Sequence, residues 1–256
     1  RAPASQAASS LAHGRTQGDA PTLDNIATYL DTYLGSMRFP HDQNGIYRPS
    51  QRPVQRIGLA LEPWPDIALW VQQERLDALF LHRPWRLDIQ SFPTDIGILA
   101  YHLAFDLTLT FGLNVRLARI LQMSQPVPFA FKDAVPLGMS GTILPVPLAA
   151  FKEHLAHIFG AAPVIAEPYT DTVNRIAIVA AMTDPLIREA AALHVDLYVT
   201  GQLRQPANRA VQETRMTVAT IGHAIGELWG LRELAKMLQE RWPDLVTVLA
   251  PPSAPE

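Results

Sequence analysis

The feature that most constrains the fold is a pattern that occurs twice along the chain, an apolar strand followed by a carboxylate at a fixed distance. In the first copy Asp77 follows Arg56 by 21 positions, and in the second copy Asp196 follows Arg175 by the same 21. Apolar residues follow each arginine, and a second apolar run follows each aspartate. Because unrelated strands would not keep register with the charges that follow them, the pattern predicts two similar βαβ units.

Each copy is followed by a histidine with a carboxylate four residues later, His102 with Asp106 in the first and His223 with Glu227 in the second. Residues four apart on a helix lie on the same face, so the two side chains of each pair can converge on one point. Imidazole and carboxylate together suit Mn, Fe or Zn. We expect a helix over residues 96–110 to carry the first pair.

A third metal-ligand candidate is His82, which comes directly after the apolar run that we interpret as the second strand of the first unit. Open α/β sheets place their functional groups outside the carboxyl ends of parallel strands. The position of His82 in the sequence therefore predicts that it lies at the functional edge of the first sheet.

The fold class that we predict is α/β, with two similar, linked α/β units packed face to face and a metal site between them. Residues 1–21 are expected to be a polar tail, and residues 22–125 the first α/β unit, completed by the C-terminal segment 216–250. Residues 126–215 are then the second unit. Proline and glycine recur between residues 126 and 147, which we interpret as the crossing from one unit to the other.

Composition excludes several classes of protein. The 256 residues contain no cysteine, which rules out disulfides and thiolate ligands, and 48% of them are hydrophobic, enough for one large or two modest cores. The net charge of −3 gives no electrostatic argument for binding nucleic acid, although it would hide a local basic patch. No apolar stretch is long enough to span a bilayer, and the first twenty residues lack the apolar core of a signal peptide. We expect a cytoplasmic protein without a membrane span.

The order and spacing of these residues resemble the Nif-three-like family, proteins with a dinuclear metal centre that are named type-two GTP cyclohydrolases. The residues that carry the resemblance lie between positions 22 and 250: His82-Arg83-Pro84, His102 to Asp106 followed by Gly112 and Asn114, Tyr198-Val199-Thr200-Gly201, and Gly222-His223 to Glu227. The resemblance implies two linked α/β units per subunit, a toroidal homohexamer, and two metal ions held between the units.

The resemblance also assigns site residues. It places His82, Asp106, His223 and Glu227 at metal-ligand positions and His102 at a position that lines the site. The implied cofactors are divalent ions, one or two per chain, of Zn, Mn or Fe.

One departure from the family pattern concerns the metal count. The family usually has two adjacent histidines before the proline, and here His82 is followed by Arg83. An arginine stays protonated and offers only hydrogen-bond donors, so it is not expected to bind a metal. The site is then mononuclear, or dinuclear with a weak second ion; alternatively, the guanidinium of Arg83 is a fixed cation that binds a phosphate or carboxylate bidentately.

Simpler explanations exist for each candidate. His223 and Glu227 could be a capping pair on the surface, and Asp106 could be a buried acid that is satisfied by hydrogen bonds. His102 could be a core histidine bonded to a carbonyl group.

The function that we expect is that of a metal-dependent, hydrolase-like protein acting on a nucleotide or another phosphorylated small molecule, with GTP cyclohydrolase chemistry implied by the family's name. Glu227 or His102 would then transfer the proton, and Arg83 would bind substrate or an anion. The alternative is a metal-binding toroidal scaffold or nucleic-acid-binding protein with little catalysis, in which Arg83 and the arginines between residues 38 and 56 contact phosphates.

Overall fold

The computed structural model describes residues 20–251, so most of the predicted tail, residues 1–19, lies outside the described part. Within that part, two β-sheets are accompanied by eight α-helices. The helices are α1 (Leu23–Leu34), α2 (Ile67–Gln73), α3 (Leu103–Leu109), α4 (Val115–Ile120), α5 (Leu148–Phe159), α6 (Asp184–Ala192), α7 (Asn208–Thr214) and α8 (His223–Arg241). The strands are β1 (Asn44–Arg48), β2 (Arg56–Ala60), β3 (Ala78–Leu81), β4 (Gly97–Tyr101), β5 (Ser124–Lys132), β6 (Val135–Pro147), β7 (Val164–Ile165), β8 (Thr172–Val179), β9 (Leu197–Thr200), β10 (Thr217–Thr220) and β11 (Val246–Leu249).

The first sheet has the strand order β1-β4-β3-β2-β11, in which β4, β3, β2 and β11 are parallel and β1 is an antiparallel edge strand. Strands β3 and β4 are buried along their whole length, because helices cover both faces of the sheet. One core contains side chains of α1 and of the second half of α8, and the core on the opposite face contains those of α2.

The second sheet has the order β5-β6-β8-β9-β10-β7, with β8, β9 and β10 parallel and the others antiparallel. Helix α5 packs on one face together with Trp229 from the first half of α8. Helices α6 and α7 pack on the other face. Helix α8 therefore contributes to the cores of both units, and the prediction of two α/β units in one chain is confirmed.

The repeated aspartates occupy equivalent places in the two units. Oδ2 of Asp77 accepts the backbone N–H of Arg56 at 3.0 Å, and Oδ2 of Asp196 accepts that of Arg175 at 2.8 Å. In each unit the same oxygen also accepts the N–H of the residue before the arginine. The constant spacing in the sequence thus reflects one contact, made twice, between the backbone of one strand and the aspartate that directly precedes its parallel neighbour.

The prediction of a helix over residues 96–110 is wrong for the first half of that range. Residues Gly97–Tyr101 form strand β4, His102 follows with φ −104° and ψ −92°, and the helix begins at Leu103. A short apolar run that is buried on both faces has the same composition in a strand as in a buried helix, so periodicity does not distinguish them. His102 consequently precedes the helix that carries Asp106.

The segment 126–147, interpreted as a crossing between units, instead forms most of the antiparallel pair β5 and β6 within the second sheet. Pro126 and Pro128 lie in β5 at the edge of the sheet, where a missing N–H is tolerated. In the inner strand β6, Pro145 lies where the pairing with β8 shifts register, between Thr142 and Val146. Strand β10 also differs from the expected division, since it pairs with β9 in the second sheet although residues 216–250 were assigned to the first unit. Of that segment, the second half of α8 and strand β11 pack in the first unit.

Among the helices of residues 20–251, none has both the length and the apolar character that crossing a membrane requires.

Candidate metal centre

The candidate site lies where the two units meet, at the carboxyl ends of parallel strands. His82 directly follows β3 and His102 directly follows β4, while Asp106 lies in α3. The chain leaves the second sheet at the end of β10 and enters helix α8 at His223. Because the ends of neighbouring parallel strands share one edge, residues distant in sequence are brought together here.

His82 is completely buried, and its Nδ1 lies 2.8 Å from the carbonyl oxygen of Tyr101. A carbonyl oxygen can only accept, so Nδ1 carries the hydrogen and Nε2 is the atom directed into the site. Metal-binding histidines commonly have this arrangement, in which a backbone carbonyl fixes the tautomer of the ring.

Nε2 of His82 lies 3.2 Å from Oδ1 of Asp106 and 3.2 Å from Oε1 of Glu227. Nevertheless, Nε2 of His82 and Oδ1 of Asp106 are both buried without a hydrogen-bond partner of acceptable geometry. Burial lowers the pKa of His82, but the two carboxylates outweigh burial and raise the pKa to about 9. The surroundings of Nε2 therefore favour positive charge at this point.

His82, His102 and Asp106 form a cluster that could hold a metal ion, since one ligand atom from each lies within 4.8 Å of the others. Two bonds of typical Zn–N or Zn–O length at a tetrahedral angle separate their ligand atoms by about 3.4 Å. The 3.2 Å between His82 and Asp106 matches that separation. The orphaned buried atoms and the donor types both fit a divalent ion, so we call these three residues the metal cluster.

Asp42 holds His102 in place. Its Oδ1 lies 3.0 Å from Nδ1 of His102, and its Oδ2 accepts the backbone N–H of Leu103 at 2.6 Å. A carboxylate behind a ligating imidazole is a recurring feature of metal sites. Sequence analysis missed this role of Asp42 because the aspartate lies 60 positions before the histidine and no spacing rule connects a loop to a distant strand end.

Arg83 is bound by the protein's own carboxylates. Its two terminal nitrogens donate to the two oxygens of Glu227 at 2.6 and 2.8 Å, and its Nε donates to Glu62 at 2.6 Å. Burial raises the pKa of Glu227, but Arg83 and the neighbouring histidines outweigh burial and hold that pKa well below its usual range. Bidentate binding of a carboxylate was one of the alternatives for Arg83, and in this structure the carboxylate is that of Glu227.

The residues predicted as ligands fall into two groups. His82 and Asp106 lie in the metal cluster, together with His102. Nε2 of His223 is 2.8 Å from Oε1 of Glu227, and the hydrogen bond to that carboxylate raises the pKa of His223. The His223 side chain is 61% exposed, and Glu227 is shared between His223 and Arg83.

The arginines between residues 38 and 56, which the scaffold alternative used as phosphate contacts, bind groups of the first unit. Arg38 and Arg48 donate to backbone carbonyl groups, Arg52 pairs with Asp77 and Asp95, and Arg56 contacts Glu74. These contacts account for the four arginines as structural residues and give the alternative no specific support.

Several known proteins are similar to this chain over most of its length. One from Allochromatium vinosum, named GTP cyclohydrolase 1 type 2 homolog, is 25% identical over 234 residues, which cover 85% of this chain and 91% of the relative. A protein of the same name from Pyrococcus horikoshii is 27% identical over 236 residues, covering 86% of this chain and 94% of the relative.

Solved structures share the fold. TTHA1606 from Thermus thermophilus has a TM-score of 0.67 and 24% identity, covering 91% of this chain and all of that one. Reduced HcgD from Methanocaldococcus jannaschii has a TM-score of 0.69 and 20% identity, covering 90% of this chain and 97% of that one. The family model described as Duf34/NIF3 (NGG1p interacting factor 3) matches residues 22–252. The resemblance seen in the sequence is thereby confirmed, and the chain belongs to the Duf34/NIF3 family.

Proposed function

We propose that this protein is a metal-dependent, hydrolase-like enzyme that acts on a nucleotide or another phosphorylated small molecule. The observation that carries the proposal is the pair of buried, unpartnered ligand atoms, Nε2 of His82 and Oδ1 of Asp106, which lie 3.2 Å apart next to His102. Leaving two such polar atoms unpaired costs free energy, which a bound cation would offset. The name of the relatives, GTP cyclohydrolase 1 type 2 homolog, supports a nucleotide as substrate.

The proposed site holds one divalent ion, of Zn, Mn or Fe, with His82, Asp106 and His102 as its protein ligands. When bound, such an ion acts as a Lewis acid toward substrate oxygens and makes water more acidic. A single ion is favoured because Arg83 already neutralises Glu227, the other carboxylate next to His82, and leaves Asp106 as the carboxylate available to the metal.

Glu227 and His102, the two residues predicted to transfer a proton, receive different roles in this proposal. Both oxygens of Glu227 accept hydrogen bonds from Arg83, and its low pKa makes it a weak base. We assign Glu227 to orienting Arg83, and His102 to the metal. Arg83 has five N–H groups, of which three donate to carboxylates, and the remaining two are proposed to bind an anionic group of the substrate.

The metal content of purified protein tests the proposal most directly. Elemental analysis of protein prepared without chelator is expected to give about one ion per chain, and His82→Ala and Asp106→Asn are expected to lose it. The matched control is His154→Ala, the same substitution at an exposed histidine of α5, which should keep the ion. Full metal content in His82→Ala, or none in the native protein after reconstitution with Zn, Mn or Fe, would contradict the proposal.

Turnover is measured separately from binding. Metal-loaded protein is incubated with GTP and other nucleotides, and ring opening is followed by the loss of guanine absorbance while phosphate release is followed chemically. Asp106→Asn should abolish either activity and His154→Ala should leave it unchanged. A protein that binds its ion but converts none of these substrates would favour the scaffold alternative.

We further propose a homohexamer, following the family resemblance, and a cytoplasmic location. Light scattering of the metal-loaded protein should give a mass six times that of the chain, and a monomer at micromolar concentration would contradict the ring.

A further inference from the structure

We propose that Trp85, together with His102, forms one wall of a subsite for a planar heteroaromatic ring at the entrance of the metal cluster. The inference rests on the proposed function and specifies its substrate class, a phosphorylated molecule that also contains a purine-like or similar ring. It adds a recognition residue that is neither a metal ligand nor a contact of the Arg83 carboxylates.

The exposure of Trp85 is unusual among the tryptophans of this protein. All five lie within the described residues, and Trp85 is the one that is exposed, with 55% of its surface accessible. Trp70 and Trp229 are buried, and Trp64 and Trp242 are partly buried. Because this exposed ring contacts His102, aromatic surface is available to a bound molecule directly beside the candidate metal ligands.

The position of Trp85 connects the protein surface to the metal cluster. Its ring packs edge-on against His102, with centroids 5.0 Å apart and an interplanar angle of 77°. The ring of His102 in turn lies 5.1 Å from that of His82. Because Asp42 fixes His102, the tryptophan rests on a ring whose orientation is already set.

The chemistry of the neighbouring groups selects the ligand. An indole offers an extended π surface, on which a nucleobase or similar ring stacks favourably whatever its hydrogen-bonding pattern. Arg83 lies two positions earlier in the same segment after β3, and two of its five N–H groups remain to donate to an anionic group. One short segment therefore presents a stacking surface and a guanidinium beside a candidate metal site, a combination suited to a nucleotide-like molecule.

The test compares two probes that share a phosphate but differ in the ring. Calorimetry measures the affinity of GMP and of ribose 5-phosphate for the metal-loaded native protein, Trp85→Ala and Trp85→Phe. We expect GMP to bind the native protein more tightly than ribose 5-phosphate, Trp85→Ala to weaken GMP by about tenfold, and Trp85→Phe to retain most of the affinity. The affinity for ribose 5-phosphate should be the same in all three proteins. Because Trp85 is exposed, both variants should fold, which their melting temperatures check.

The outcomes separate this inference from the proposed function. Equal affinity of the native protein for both probes, or unchanged GMP binding in Trp85→Ala, would overturn the subsite while leaving the metal-dependent function in place. A change of oligomeric state in Trp85→Ala would also overturn it, since the tryptophan would then belong to an interface between copies. If metal-loaded native protein bound neither probe, both the subsite and the nucleotide substrate would be wrong.

Discussion

Arg83 shows how one residue can change the chemistry of a site without changing its fold. Its guanidinium binds both oxygens of Glu227, so a side-chain cation neutralises a carboxylate that lies 3.2 Å from Nε2 of His82. A guanidinium cannot leave or accept a hydrogen bond, and it therefore fixes the charge at this position permanently.

The first prediction follows from that arrangement. Arg83→His should raise the metal content from about one ion per chain to about two, because it frees Glu227 and adds an imidazole ligand. Arg83→Lys is the matched control, since it keeps the positive charge, adds no ligand at neutral pH, and should leave the content at about one. Elemental analysis measures both, and an unchanged content in Arg83→His would mean that Arg83 does not determine the number of ions.

The two repeated aspartates provide a matched pair for a stability experiment. Asp77 and Asp196 each accept two backbone N–H groups, but Asp77 is more buried and also pairs with Arg52 at 2.7 Å. We expect Asp77→Ala to lower the free energy of unfolding by about 2–3 kcal/mol and Asp196→Ala by about 1–2 kcal/mol. Urea denaturation measures both values, and a larger loss in Asp196→Ala would show that burial does not determine the strength of this contact.

At the scale of single residues, the sequence was informative where a pattern occurs twice along the chain. It was not informative where a contact joins residues that are far apart in the sequence. The spacing from Arg56 to Asp77, repeated in the second copy, predicted two similar units, and the aspartate makes the same backbone contact in each of them. The role of Asp42 was beyond prediction, because its distance from His102 depends on how a loop packs against the end of β4.

Among the elements, helix α8 brings the two units together through closely packed glycines. A Cβ at Gly230 would lie 2.8 Å from the backbone oxygen of Leu109 and 3.0 Å from Cζ of Phe105. A side chain at this position would therefore have to push the end of α3 away from α8. The close approach matters for the site because α3 carries Asp106 and α8 carries Glu227.

Gly230→Ala tests this packing. In an exposed helix interior the change would stabilise the protein by about 0.5–1 kcal/mol, but overpacking against a backbone oxygen costs about 1–3 kcal/mol. We expect a net destabilisation, measured by chemical denaturation. Arg232→Ala, at an exposed position of the same helix, is the control and should change stability by less than about 0.5 kcal/mol. A gain in stability for Gly230→Ala would show that α3 and α8 can separate freely.

Whole elements were predictable where their ends carry local signals. Helix α5 spans Leu148–Phe159 and ends at Gly160 in the left-handed conformation, and glycine is the residue type that most often ends a helix in this way. Strand β4 was misread because a run buried on both faces has no alternation, and the hairpin of β5 and β6 was misread because its prolines imitate a loop. In both cases the tertiary environment decided the structure.

At the scale of the whole molecule, the candidate site is also a place where the two α/β units contact each other. His82 and Arg83 extend from the first sheet, while Glu227 follows the last parallel strand of the second sheet, so their contacts connect the two units. The repeated pattern of apolar strand and carboxylate predicted that two units exist, but not that side chains of α8 would pack in both cores. That sharing depends on which helix faces remain uncovered after both sheets have formed.

Because the proposed ion binds side chains that come together only in the folded chain, it should stabilise the whole molecule. At a free concentration one hundred times the dissociation constant, a ligand specific for the folded state adds about 2.7 kcal/mol. For a chain of this length, that corresponds to a rise in melting temperature of about 5–10 °C. Calorimetric scans with and without the ion found in the purified protein should show this rise in the native chain and in His154→Ala. Asp106→Asn should lose it, because the substitution replaces the carboxylate whose Oδ1 is otherwise buried without a partner. An equal rise in melting temperature for Asp106→Asn would mean that the ion binds elsewhere on the protein, and would contradict a metal site between the two units.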